Sequence, residues 1–295
     1  MHDIDSRADT PFDPPIISRK GDDPVWKMHK FCWKDAGTWM PQLSAWLAPK
    51  FRKDGLRRLN PGGFRDLPWD DPEWLALLGR CLAAGIEYHA ETLANALEFS
   101  ILRTFHGCRT DDAGSYFREG LRLHDRDAMK QRLIAIVDQN DELAGMRTRL
   151  DISIAEVDIT LDIGRLFVVA DDTALLERAA HYLIYGSEWI TAVLGRGRHV
   201  LLKTGVPTMI EVDLPLSVAT PATRIAFARK MLSEWTRRTC NLPDWHAPID
   251  FSFCLHENIP PAWVVGHSHP VQLRDPLERR QLYKSPRTRC AYCGL

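Results

Sequence analysis

The chain has 295 residues, 45% of them hydrophobic, and a formal net charge of -1. That is enough apolar material for a real core, and too balanced a charge for a strongly electrostatic nucleic-acid binder or a basic membrane-surface protein. Seven cysteines, odd in number and mostly far apart, read as free thiols of a reducing, cytoplasmic compartment. The polar N-terminus MHDIDSRADTPFDPP has no apolar leader, and no stretch approaches the roughly 20 continuous apolar residues of a membrane span, so no membrane partner is expected.

Residues 1–24, rich in Pro and Asp, predict a loose arm. From Val25 the chain becomes aromatic, with Trp26, Phe31, Trp33, Trp39, Trp46, Phe51 and Phe64 in an irregular stretch. This predicts a mainly helical lobe over 25–99 whose aromatics form its core. Asp70-Asp71-Pro72-Glu73 reads as a helix start. Leu75, Leu78, Leu82, Ile86, Leu93 and Leu97 then recur at helical spacing, predicting one helix to about Phe99. Beyond it the pattern is α+β. Strands are predicted over 100–105, 165–170, 199–203, 208–214 and 249–255, and helices over 112–120, 173–185 and 221–238, the last capped by Thr220. This second region runs over 100–273, and a charged, Pro-interrupted tail over 274–295 follows it.

The chemistry is concentrated in Thr104-Phe105-His106-Gly107-Cys108-Arg109, where an apolar strand ends on a polar, backbone-permissive step. Gly107 would let a planar ligand approach, His106 could donate from its ring to a ribose hydroxyl, and the planar fork of Arg109 could meet a phosphate. Twelve residues later Glu119-Gly120-Leu121-Arg122 closes a short helix. A second block, Gly164 to Asp171 with Phe167 on its strand, leads into a helix bearing Tyr182 and Tyr185. The order of these blocks resembles the ADP-ribosyltransferases of the poly-ADP-ribose polymerase and diphtheria-toxin type, over residues 100 to 270. The resemblance implies a split β-sheet core flanked by helices, with NAD as substrate. It also implies an aromatic face against the nicotinamide, for which Phe167 is the candidate, Val168 the alternative register, and Tyr182 and Tyr185 helix-borne substitutes. The two tyrosines are equally well read as core packing.

A carboxylate is expected near a late strand. In Ile249 to Leu255 the odd positions are apolar, which turns Asp250 to the other face and makes it the first candidate. Glu257 is the second, and Glu211 reads as a solvated strand face. Asp250 stands where the family usually has Glu, and Phe167 where it usually has Tyr. The implied reaction is transfer of ADP-ribose to a macromolecular acceptor, protein or nucleic acid, with release of nicotinamide, in the manner of a toxin, a phage-defence effector or a regulatory modifier. An antitoxin or a regulatory partner, or residues 25–99 themselves, could cover the cleft. Three alternatives stay open: an inactive ADP-ribose or nucleic-acid binding module, an NAD glycohydrolase, and an RNA phosphotransferase using NAD.

Other motifs carry less. Cys290-Ala291-Tyr292-Cys293 with His267 and His269 could supply four zinc ligands, but a single C-x-x-C near a chain end is more often a pair of free thiols, so no metal is expected. No P-loop, dinucleotide fingerprint or nucleophile elbow is present. Gly195-Arg196-Gly197-Arg198 reads as a flexible basic turn.

Overall fold

A computed structural model describes residues 25–59, 67–68, 70–157, 163–240, 249–285, 290 and 292–293. The expected arm over 1–24 and Phe64 lie outside them. The chain runs β1 (Lys30–Cys32), α1 (Met40–Leu47), α2 (Gly55–Leu59), α3 (Glu73–Cys81), α4 (Ile86–Ala96), β2 (Ile101–Thr110) and α5 (Gly114–Glu119). Next come α6 (Arg126–Asp138), α7 (Ala144–Arg147), α8 (Leu150–Glu156), β3 (Leu166–Val169), α9 (Thr173–Glu177), α10 (His181–Ile184) and α11 (Glu188–Leu194). After a 3-10 turn come β4 (Val206–Pro215), α12 (Pro221–Cys240), β5 (Ser252–Leu255), β6 (Val264–Ser268), β7 (Gln272–Asp275) and β8 (Gln281–Lys284). The result is α+β with a largely antiparallel sheet.

The six-stranded sheet has the order β5-β3-β2-β4-β6, with β1 parallel to β2. One edge of β2 pairs with β4 over its whole length, from Ile101–Pro215 to Thr110–Val206. The other edge is shared: β1 takes Ile101 to Arg103, and β3 meets β2 at the single pair Phe105–Val169. Past that pair, β3 continues beside β5 and β2 beside β4. On that edge the central strand therefore has a flank with no strand partner from His106 onward among the described residues.

Alternation along β2 splits the interior into two cores. Leu102 and Cys108 face a core shared with Val168, Ile210, Val212, Leu214, α12 and the N-terminal aromatics. Phe105 faces a second core built from α6, α9, α10 and α11 with Met209 and Leu273. Trp26, Phe31, Trp33, Trp39 and Trp46 are all buried, as the aromatic-core reading expects. The expected boundary near residue 100 is not a boundary of the core, because β1 joins the sheet and the tryptophans share one apolar cluster with it. The described residues between 25 and 99 are built into the fold and are not an added cover.

Four expected elements take another form. The long helix over 70–99 is two, because Leu82 and Gly85 are extended and the break pairs Leu82 with Phe51. The helix over 173–185 is likewise divided into α9 and α10. Residues 199–203 lie in a 3-10 turn, Gly195–Lys203, and not in a strand; β4 pairs with β2 and β6 instead. The charged tail begins as the hairpin β7-β8, which buries Leu273 and Asp275. Thr220 does cap α12, accepting from Thr223 N at 3.2 Å. No helix among the described residues is long and apolar enough to cross a membrane.

Candidate functional site

His106 sits where β2 and β3 part. Its Nδ1 lies 2.9 Å from the Phe167 carbonyl, and since a carbonyl only accepts, Nδ1 carries the proton and donates. The ring thus supplies a bond between strands whose ladder has ended, and Nε2 keeps its lone pair as an acceptor. Burial holds the imidazole below its ordinary pKa; the Phe167 carbonyl opposes this, and nearby His124 pushes the same way as burial. The site therefore favours a neutral imidazole that accepts a hydrogen bond, and the expectation of a donating ring is revised.

The surroundings of His106 come from distant segments. His124 bridges to Ile163, and Gly164 N donates to its carbonyl at 3.0 Å. Leu121 and Ile259 exchange backbone bonds of 3.0 and 2.9 Å, and Leu123 N donates to Asn258 Oδ1 at 2.7 Å. Gly120 makes this docking possible: its φ is +76°, and a Cβ there would stand 1.9 Å from the Ile259 carbonyl oxygen. Two strand positions beyond His106 and on its face, Cys108 is hydrogen-bonded to Tyr116 of α5. Burial pushes the Cys108 thiol up to about 12 and raises the Tyr116 phenol, so both stay neutral. His124, Tyr116 and Asn258 had no signal in the sequence, because only long-range pairing brings them here.

Most of the other expected binding residues face away. Gly107 has the parity of Phe105, and a Cβ there would meet Leu175 and Leu183 at 3.4 Å; its missing side chain admits α9 and α10, not a ligand. Arg109, 7% exposed, donates to Thr204 O (2.7 Å), Ile184 O (3.0 Å), Leu202 O (2.8 Å) and Tyr283 Oη (3.1 Å). Its fork is spent inside the protein, which removes it as a phosphate ligand. Tyr185 is buried and donates to the buried Asp275, with burial and then Asp275 pushing its phenol up to about 12. Tyr182 donates to Glu188 and packs on the same second core. Of the two readings of these tyrosines, core packing is the one observed.

Phe167 is 42% exposed, an unusual state for a large apolar ring in a strand. It has the parity of Val169, opposite to the fully buried Val168, which continues the register beside His106. Phe167 and His106 thus lie on opposite faces of the sheet. Of the carboxylates, Asp250 is exposed, precedes β5 and pairs with Arg178 at 3.2 Å. It lies at the closed end of the β2-β3 contact, since Val169 pairs with Ser252. Glu257 follows β5 at the opposite end, beside Asn258, toward which the flank opens. Register therefore sets Glu257, and not Asp250, at the end of β5 on the His106 side of the β2-β3 contact. Glu211 is half-buried and holds Arg103, which also bonds Asp213 at 2.8 Å, so it belongs to an ion network and not to a solvated face.

A second cluster lies on the His106 face. The row His106–Ile210–His267 crosses β2, β4 and β6. His267, His269, Cys290 and Cys293 present ligand atoms all within 4.8 Å of one another. Cys290 Sγ is 3.5 Å from His267 Nε2, while His269 Nδ1 contacts Pro207 O and Thr208 Oγ1, each at 3.2 Å. Burial alone would raise the Cys290 thiol; the Cys293 and Tyr292 N–H groups and the adjacent His269 imidazole outweigh it and bring it down to about 6. All seven cysteines are free of disulfides. The expectation that the thiol pair stands alone is corrected here, because the fold gathers both thiols against both imidazoles. Compared with family models, with curated proteins and with solved structures, the chain matches none of them.

Proposed function

We propose that the chain cleaves the nicotinamide–ribose bond of NAD and transfers ADP-ribose to an acceptor, using the open flank of β2. The observation that carries this reading is His106, held by the Phe167 carbonyl so that a neutral Nε2 is left to accept from a ribose hydroxyl. Phe167 would offer its exposed ring to the nicotinamide from the other face of the sheet. Glu257 would stabilise positive charge as the ribose carbon loses its nitrogen. The C–N bond breaks with its electron pair going to the pyridinium, so nicotinamide leaves neutral. The acceptor forms the new bond to the ribose carbon and gives up its proton. Protein, nucleic acid and water are all chemically competent acceptors.

Nicotinamide release from NAD by the purified chain tests this. His106→Ala and Glu257→Gln should each lower release by about 10²–10³-fold, while Asp250→Asn should stay near wild type. Absence of both release and calorimetric NAD binding would sink the proposal. Binding without release from wild type would turn the same site into an ADP-ribose recognition module.

A further inference from the structure

We infer that His267, His269, Cys290 and Cys293 form a tetrahedral structural zinc site that fixes the C-terminal end of the chain onto the sheet. The inference is independent of the NAD reading. Zinc bonds of about 2.3 Å to sulfur and about 2.0–2.1 Å to nitrogen imply a tetrahedral S–N edge of about 3.6 Å. The Cys290 Sγ to His267 Nε2 separation is 3.5 Å, and the whole donor set fits within 4.8 Å. Two thiolates and two imidazoles select zinc over hard, oxygen-seeking cations.

His269 supplies a second, separate observation. Its Nδ1 faces the Pro207 carbonyl, which can only accept, so Nδ1 holds the proton and Nε2 the lone pair. That Nε2 is buried and makes no hydrogen bond in the structure, a costly state for a polar atom unless a metal takes the lone pair. A backbone carbonyl behind a histidine is the arrangement that orients metal ligands. Four protein ligands leave no open position, so the site is structural and not catalytic.

The consequence is mechanical. Tyr292, between the two cysteines, stacks on Phe117 of α5 at 4.4 Å and edges His267 at 5.6 Å. It also lies 3.1 Å from where a Cβ of Gly114 would be. The metal would hold Tyr292 on the helix whose Tyr116 bonds Cys108 and whose end leads through Gly120 to His124. A short C-x-x-C segment is thereby made to brace the face of the sheet that carries His106.

Full-length chain purified under reducing conditions should hold about one zinc per chain by mass spectrometry of its metals. Zinc-stripped chain given Co²⁺ should show tetrahedral d–d bands with thiolate-to-cobalt charge transfer. Cys290→Ser/Cys293→Ser should lose both signals, while Cys254→Ser keeps them. A strong chelator should lower the melting temperature of wild type by more than about 5 °C and leave the double variant unmoved. If the double variant does not fold, the cobalt spectrum of wild type decides, since it reports sulfur ligation without a substitution. A zinc-free wild type that gives no thiolate band with Co²⁺, or a double variant that retains stoichiometric zinc, would overturn the inference.

Discussion

Arg109 separates the two roles that its place beside His106-Gly107 allows. Removing it by Arg109→Ala withdraws a charged donor from three backbone carbonyls, Thr204, Ile184 and Leu202, and from the Tyr283 hydroxyl. Hydrogen bonds to charged groups contribute roughly 1.5–3 kcal/mol each, and carbonyls left buried add a desolvation cost. Carbonyls keep a second lone pair and water can enter the space, so the loss should fall below the roughly 6 kcal/mol that four such bonds sum to at their weakest, at about 3–5 kcal/mol. At roughly 2–4 °C per kcal/mol, the slope of chains of about 150–250 residues, the melting temperature should fall by about 6–20 °C. Arg109→Lys, which keeps the charge but loses the fork, should fall about half as far. The assay is thermal unfolding of both variants beside calorimetric titration with NAD at a temperature where each is folded. A large stability loss with NAD affinity within about threefold of wild type is expected. An unchanged melting temperature with lost NAD affinity would refute it and return Arg109 to the phosphate.

Gly120→Ala should be severe, because φ +76° is coupled to a backbone oxygen 1.9 Å from the new Cβ; a loss of more than about 3 kcal/mol is expected in denaturant unfolding. Gly145→Ala, where nothing lies within 4 Å, should be neutral or slightly stabilising in the same titration. His89 is 3% exposed with neither ring nitrogen hydrogen-bonded, packed edge-on against Trp46 and Tyr88. His89→Leu should therefore raise stability by about 1–2 kcal/mol. Burial, and then Lys50, lower the pKa of His89 from 6.5. The unfolded chain thus takes up a proton near pH 6.5 that the folded chain resists, so stability falls as pH drops below 6.5 toward the folded value. Stability curves at pH 7 and pH 5 should converge in His89→Leu relative to wild type; an equal pH loss in both would refute this assignment.

Local grammar carried far in this chain. The helical spacing and Thr220 cap of α12, the burial of Trp26, Trp33 and Trp39, and the alternation that turns Asp250 away from Phe253 are short-range consequences of residue type, and they stand in the structure. The same alternation also contained the orientation of Gly107 and Arg109. A period of two puts both on the face opposite His106.

What tertiary pairing alone decided is which side chains share a site. Whether β3 runs along β2 or leaves it after Phe105–Val169 is not a property of either strand's sequence, yet it creates the flank on which His106 depends. The choice between Asp250 and Glu257 rests on which end of β5 meets that flank, and this follows from the Val169–Ser252 register. The joining of His267 and His269 to a C-x-x-C pair on a separate segment depends on β6 pairing with β4 and on Tyr292 finding Phe117. Sequence by itself determined the elements and the buried faces, because propensity and hydrophobic period act within a few residues. Only the fold determined the sites, because they join groups that the chain keeps far apart.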